Sequence, residues 1–398
     1  MYLVYLLIKA DKRLFLWYNP CMSVKLLLKL NRLFRTPEHP FNTQSAGGQS
    51  YAEWEFSRGE RSLEVFAPEF TPQEILCLSE KGSQMIGSTA GPKVLDLCCG
   101  AGGKSVYYAC LGANVTAVDK LEKYRSEAEK LTALKKVPLA DLEAQDHASG
   151  QTTNTPDLAS QDQASGQSAC TPNQKIQNQK PWQTECTPSP ETRKAASFRF
   201  VCADAADTGL PQGSFSTIIM SDAMEHVADP EAVLSECARL LSPGGRLYIS
   251  FPPYGHPYGA HVSDLIGIPW VQLFFSDAVI GAAYEQLTEG LPDGKERLSF
   301  RFSKASGGSW SNTYINKMTL RRFAKLRSKY CLQGLGKNAA PAPITGRPDT
   351  QAPNHPAAPF RTLLYREVPL RPWLAPLAKL PGTKEYFVRL AVCVLEKQ

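Results

Sequence analysis

Short apolar runs and amphipathic stretches of helical spacing alternate along most of the chain. Runs near 93–97, 114–118, 198–202, 215–220 and 246–251 are short, apolar and rich in β-branched residues, and they predict buried strands. Between them, 103–111, 121–135 and 230–241 carry apolar residues at a helical period. Asp229-Pro230-Glu231 supplies the start signal of the last helix, and Ser242-Pro243-Gly244-Gly245 its stop. Strands and helices in alternation, joined by short crossovers, predict a parallel, doubly wound α/β sheet.

The pattern fails in two places. Residues 138–196 run through Gln, Ser, Thr, Asn, Pro and Ala with few large apolar side chains, too few to offset the entropy of ordering them. Gln145-Asp146-His147-Ala148-Ser149-Gly150-Gln151 recurs as Gln161-Asp162-Gln163-Ala164-Ser165-Gly166-Gln167, and Thr155-Pro156, Thr171-Pro172 and Thr187-Pro188 keep the same offset of sixteen. Without a packed apolar face such copies predict a disordered insertion rather than a solenoid. A Pro- and Ala-rich stretch, 337–359, predicts a second loop. A core of single-domain size remains, divided into 51–137, 197–336 and 360–398 and preceded by an extension, 1–50.

Charge changes the picture only at the N-terminus. Lys9, Lys12, Arg13, Lys25, Lys29, Arg32 and Arg35 stand against Asp11 alone, which accounts for the whole net charge of +6. The remainder is neutral overall, which argues against a nucleic-acid-binding surface. The run Leu3–Ile8 is too short to span a bilayer. From Met22, which could itself be the natural start, Leu26, Leu30, Leu33 and Phe34 recur beside Lys25, Lys29 and Arg32. This basic amphipathic helix either caps the core or makes a peripheral membrane contact through residues 22–35. Eleven scattered cysteines, with no C-x-x-C pair and with Cys110, Cys202 and Cys393 in apolar runs, read as reduced thiols and a cytoplasmic protein.

The chemistry-bearing segment is Lys93-Val94-Leu95-Asp96-Leu97-Cys98-Cys99-Gly100-Ala101-Gly102-Gly103, followed by Asp119 at the tip of the next strand. A dinucleotide fingerprint needs a third glycine where Ser105 stands, and a P-loop needs a glycine where Cys98 stands ahead of Gly103-Lys104-Ser105. The segment resembles instead the class I S-adenosylmethionine-dependent methyltransferases, in particular the type 11 group. The resemblance extends to Phe198–Ala205, to Ser214–Val227 and to Leu240–Phe251, in that order. It implies a Rossmann-like, seven-stranded sheet, parallel except for one antiparallel strand near 385–395, with a helical lid insertion at about 252–316.

The resemblance further implies S-adenosylmethionine as cofactor, contacted by Asp96, Cys98, Gly100, Gly102, Asp119, Lys120, Asp204, Ala205 and Ser221. Asp119 would accept from the ribose hydroxyls, and Asp204 with the Ala205 backbone would read the adenine edge. As plain structural residues, Asp119 would be a helix N-cap and Asp204 a turn residue. Cys98 stands where many relatives have glycine, and its small side chain should be tolerated if it keeps a negative φ.

A small-molecule acceptor with a hydroxyl nucleophile is expected, and the base candidates are His226, His256 and His261, whose neutral form suits proton removal near pH 7. His256, His261 and Asp264 are also metal donor types, but they lack ligand spacing on a regular element, so no metal site is expected. Trp270, Phe274 and Phe275 are either lid core or walls of an acceptor pocket. A scaffold that keeps the fold without turnover is the alternative outside enzymes. RNA cytosine methylation is less favoured, because Ser221-Asp222-Ala223-Met224 lacks the cysteine and proline that chemistry requires.

Overall fold

The computed structural model describes residues 20–34, 50–78, 93–140, 196–331, 358–376 and 383–398, the side chains of 20–23 excepted. The repeats, the Pro- and Ala-rich stretch 337–357 and the N-terminal residues 1–19 lie outside the described residues.

Seven strands form one sheet in the order β3-β2-β1-β4-β5-β9-β8: β1 (Lys93–Leu97), β2 (Asn114–Asp119), β3 (Ser197–Cys202), β4 (Phe215–Ser221), β5 (Leu241–Phe251), β8 (Phe360–Pro369) and β9 (Val388–Lys397). β1 to β5 pair in parallel, whereas β9 runs antiparallel to both β5 and β8. β9 is thus the one reversed strand. Pro138–Ala140 extend the sheet edge, with Leu139 bridging Phe198, so the apolar-poor segment begins slightly later than its composition predicts.

Helices cover both faces. Preceding the sheet are α1 (Pro20–Asn31), α2 (Tyr51–Phe56), α3 (Gly59–Glu64) and α4 (Pro72–Ile75); within it come α5 (Gly103–Cys110), α6 (Lys123–Lys135) and α7 (Pro230–Leu240). Local signals fix their starts. Ser50 and Glu53 form a reciprocal capping box on α2, and Asp229 accepts from the Glu231 and Ala232 amides ahead of Pro230. Alternate residues of each strand face opposite sides. Leu95, Leu97, Ile218, Met220, Leu247 and Ile249 pack with Val233, Leu234 and Leu240 of α7, while Val94, Val115, Ile219 and Tyr248 pack with α5 and with Phe66 and Ile75.

The segment after β5 forms a separate layer: α8 (Val271–Phe274), α9 (Asp277–Thr288), α10 (Gly294–Arg301) and the hairpin β6 (Phe302–Lys304) with β7 (Trp310–Asn312). The chain then returns to the sheet through α11 (Leu320–Tyr330). α1 joins this layer, burying Val24 and Leu27 against Val279, Ile280 and Tyr284. Of the predicted stripe, Leu30 and Phe34 pack against this layer, whereas Leu26 and Leu33 face outward at 43% and 68% exposure. Leucine occupies so many positions of α1 that two stripes compete, and the buried one starts at Val24 and Leu27 and shares Leu30 and Phe34 with the predicted set. Among the described residues no helix is long and apolar enough to cross a membrane.

Candidate functional site

The carboxyl ends of β1 to β5 open into a cavity of about 720 Å³, of a size that accepts small ligands. Its geometry starts at the turn after β1. The Cys99 amide donates to the Val118 carbonyl at 3.0 Å, and the Gly100 amide donates to Asp119 Oδ2 at 3.0 Å. The turn achieves this by left-handed backbone at Cys98 (φ 61°), Gly100 (61°) and Gly102 (73°). Cys98 therefore does not keep the negative φ under which a side chain is readily tolerated there. Folding the chain back onto β2 within three residues demands that conformation, at a cost of about 1–2 kcal/mol for a residue with a Cβ.

Asp119 also accepts from the Leu121 amide at 3.0 Å, so its carboxylate is locked by two backbone donors while retaining lone pairs toward the cavity. Burial raises its pKa despite these bonds. Asp204 makes an Asx turn to the Ala206 amide at 2.8 Å. Lys120, Asp204, Ala205, Ser221 and Cys98 line the cavity. Gly102 does not. A Cβ there would lie 3.1 Å from Ala128 and 3.6 Å from Phe198, so this glycine serves the turn and its packing.

The P-loop-like Gly103-Lys104-Ser105 points elsewhere than to a phosphate. Ser105 Oγ donates to Asp96 Oδ2 at 2.6 Å, and Lys104 Nζ donates to the Ser221 carbonyl at 3.1 Å while lying 3.5 Å from Asp222. Asp96 is buried, which pushes its pKa up to about 6 against the opposing bond from Ser105.

Residues with no assigned role in the sequence roof the turn. α2 crosses over it with Tyr51, Trp54, Glu55 and Arg58 at the cavity wall. Glu55 is 4% exposed and accepts from the Gly103 amide at 3.2 Å; burial, only partly offset by Lys104, pushes its pKa up to about 8. A Cβ on Gly100 would meet Glu55 Oε1 at 2.5 Å.

All three candidate histidines line the cavity. His226 follows β4, and its ring lies 4.8 Å from that of His261 and 4.2 Å from that of Tyr314. Its Nδ1 donates to the Tyr314 carbonyl at 3.0 Å, which leaves Nε2 as the acceptor. Burial lowers the pKa of His226 to about 4, and the same cause does so for His256. His256 stands apart, its Nδ1 accepting from the Tyr258 amide at 3.2 Å. Asp264 faces Arg297 and Arg301 at 3.2 Å each and accepts from Tyr284 at 2.7 Å, so His256, His261 and Asp264 do not form one donor set. Trp270, Phe274 and Phe275 do not line the cavity; Trp270 instead donates to the Tyr386 carbonyl at 3.3 Å, and the aromatic walls come from Tyr51, Trp54, Tyr124, Tyr258, Phe300 and Tyr314.

Residues 176–249 match a family model described as a methyltransferase domain, of type 11, and residues 82–148 match one described as tellurite resistance protein TehB. Each match covers a segment of the sheet, and neither spans half of the chain. Among curated proteins the chain is similar to the ubiquinone biosynthesis O-methyltransferase of Pseudomonas aeruginosa strain UCBPP-PA14, 26% identical over 222 residues, 56% of this chain and 63% of the relative. A 38-residue segment is 50% identical to the protein of the same name from Xanthomonas oryzae pv. oryzae strain PXO99A, covering 10% of this chain and 16% of that one. The matches thus span less than two thirds of the relatives' length. Among solved structures it is similar to a methyltransferase from Methanosarcina mazei, at a TM-score of 0.36 and 14% identity over 77% of this chain and 92% of the other.

The residues present fit S-adenosylmethionine. A carboxylate stands at each of the β1 and β2 ends, and the cavity-facing Gly100 has no room for a side chain.

Proposed function

We propose that this chain transfers a methyl group from S-adenosylmethionine to a hydroxyl of a small-molecule acceptor. One observation carries the reading: a single cavity is lined both by the glycine turn with Asp119 and by a half-buried histidine pair, His226 and His261. When bound, the cofactor supplies an electrophilic methyl on a positively charged sulfur.

Asp119 would hold the ribose hydroxyls, Asp204 and the Ala205 backbone the adenine edge, and Asp96 with Glu55 the ammonium. Cys98, Gly100, Lys120 and Ser221 complete that wall, and Gly102 shapes the turn behind it. His226, His256 and His261 face the acceptor side. Methyl transfer is an in-line displacement, so positioning in a water-poor site supplies much of the rate. A pKa lowered to about 4 keeps His226 neutral at pH 7, so its Nε2 lone pair is free to face the acceptor side.

Residues 51–137, 197–336 and 360–398 would then form the catalytic domain, with 252–316 as the acceptor lid. Hydroxyl chemistry accords with the name carried by the Pseudomonas relative. The exposed face of α1, with Lys25, Leu26, Lys29, Arg32 and Leu33, is suited to a peripheral membrane contact and hence to a lipid-like acceptor.

The test is a screen of phenols, catechols, aliphatic alcohols and amines with methyl-labelled cofactor, products being identified by mass spectrometry. O-methylated products support the reading. Transfer only to nitrogen, or none from protein that binds the cofactor, overturns it.

A further inference from the structure

We propose that Glu225, His226 and His261 form a site for one divalent first-row transition cation, whose open positions receive the acceptor hydroxyl. The inference rests on the hydroxyl-transfer reading for its role, but not for its existence.

Three observations converge. Donor atoms of these residues lie within 4.8 Å of one another. Glu225 is 3% exposed, yet neither carboxylate oxygen has a hydrogen-bond partner among the described residues. A buried carboxylate without a partner is costly, and a cation is the group that would compensate it. The neighbouring imidazole does not: His226 Nε2 is 3.6 Å from Glu225 Oε1, beyond hydrogen-bond reach.

The groups around these donors hold them as metal ligands are held. His226 donates from Nδ1 to a backbone carbonyl at 3.0 Å, which fixes the tautomer and turns the Nε2 lone pair toward Glu225. Asn316 clamps the turn that carries both residues. Its amide donates to the Glu225 carbonyl at 2.8 Å, and its Nδ2 donates to the Met224 and Val227 carbonyls at 2.9 and 2.7 Å.

Two imidazoles and one carboxylate select zinc, cobalt, manganese or iron(II) and leave positions open. Bonds of about 2.0–2.2 Å to each donor would draw the three inward by about 1 Å. An acceptor hydroxyl oxygen on an open position loses its proton to water more readily, because the cation stabilises the resulting oxyanion. The imidazoles then act on the acceptor through the cation rather than by taking the proton themselves.

The experiment uses tag-free, chelator-stripped full-length chain titrated with CoCl₂, followed by calorimetry and by the visible ligand-field bands of cobalt. One cobalt per chain is expected, bound at least ~50-fold more weakly in Glu225→Gln and in His261→Asn, while both variants keep the wild-type circular dichroism and S-adenosylhomocysteine affinity within ~3-fold. No cobalt binding by folded wild type, or binding that neither substitution weakens, overturns the site. Methyl transfer unaffected by chelation overturns its role toward the acceptor oxygen. Cobalt binding that obeys the variants, with no transfer to any acceptor, supports the site and removes only the hydroxyl-transfer reading.

Discussion

Replacing Glu55 by glutamine should make the protein more stable at alkaline pH. Glu55 is 4% exposed, sits over the glycine turn, and has its pKa raised from 4.5 to about 8, first by burial, with Lys104 and the Gly103 amide opposing. The folded state therefore holds a proton that the unfolded chain releases near 4.5. Stability from this group is fully present below pH 4.5 and is lost as pH rises toward 8, because the unfolded state binds fewer protons throughout that window. At about 1.4 kcal/mol per tenfold change in proton affinity, the loss between pH 5 and pH 8 is about 3 to 4 kcal/mol. Glutamine preserves the acceptor for the Gly103 amide and cannot ionise, so Glu55→Gln escapes this loss. Urea unfolding of both proteins at pH 5, 6.5 and 8 measures it as a widening gap in unfolding free energy. The raised pKa of Asp96 is common to both proteins and cancels in the difference. Parallel curves, with a gap constant to within ~0.5 kcal/mol, would refute the claim that Glu55 is buried over the turn.

Two further substitutions probe the two walls of the cavity. Gly100→Ala places a Cβ at φ 61° and 2.5 Å from Glu55 Oε1; a loss of about 1–3 kcal/mol in stability, with weakened cofactor binding, is expected by urea unfolding and calorimetry. Asn316→Ala orphans the Met224 and Val227 carbonyls and should cost about 2–4 kcal/mol, with methyl transfer falling more than cofactor affinity in parallel kinetic and binding assays.

The sheet was legible because each strand is short, apolar and bounded by turn residues, and because the cofactor-side carboxylates stand at strand ends, where chain order alone places them. The glycine turn was legible in its residue types but not in its backbone. Nothing at Cys98 announces a φ of 61°, which arises from the pairing of β1 with β2. The roof was illegible for a similar reason: the Ser50 to Glu53 capping box marks a helix start, but only tertiary packing tells that Glu55 lies over Gly103. Local spacing suggested His256, His261 and Asp264 as neighbours, whereas the fold brings His261 to Glu225 and His226, more than thirty residues away, and commits Asp264 to two arginines. In the lid, aromatic content was a poor guide to the cavity, since Trp270 and Phe275 serve packing between elements while Tyr314 lines the site.

The most direct test of the account is calorimetric titration of the full chain and of Asp119→Ala with S-adenosylmethionine and S-adenosylhomocysteine. Two hydrogen bonds from ribose hydroxyls to a charged group are worth about 3 kcal/mol or more together, so micromolar binding by the wild type should weaken at least ~100-fold in the variant. No binding by folded wild type, or equal binding by both proteins, would contradict the assignment of the glycine turn and Asp119 to the cofactor.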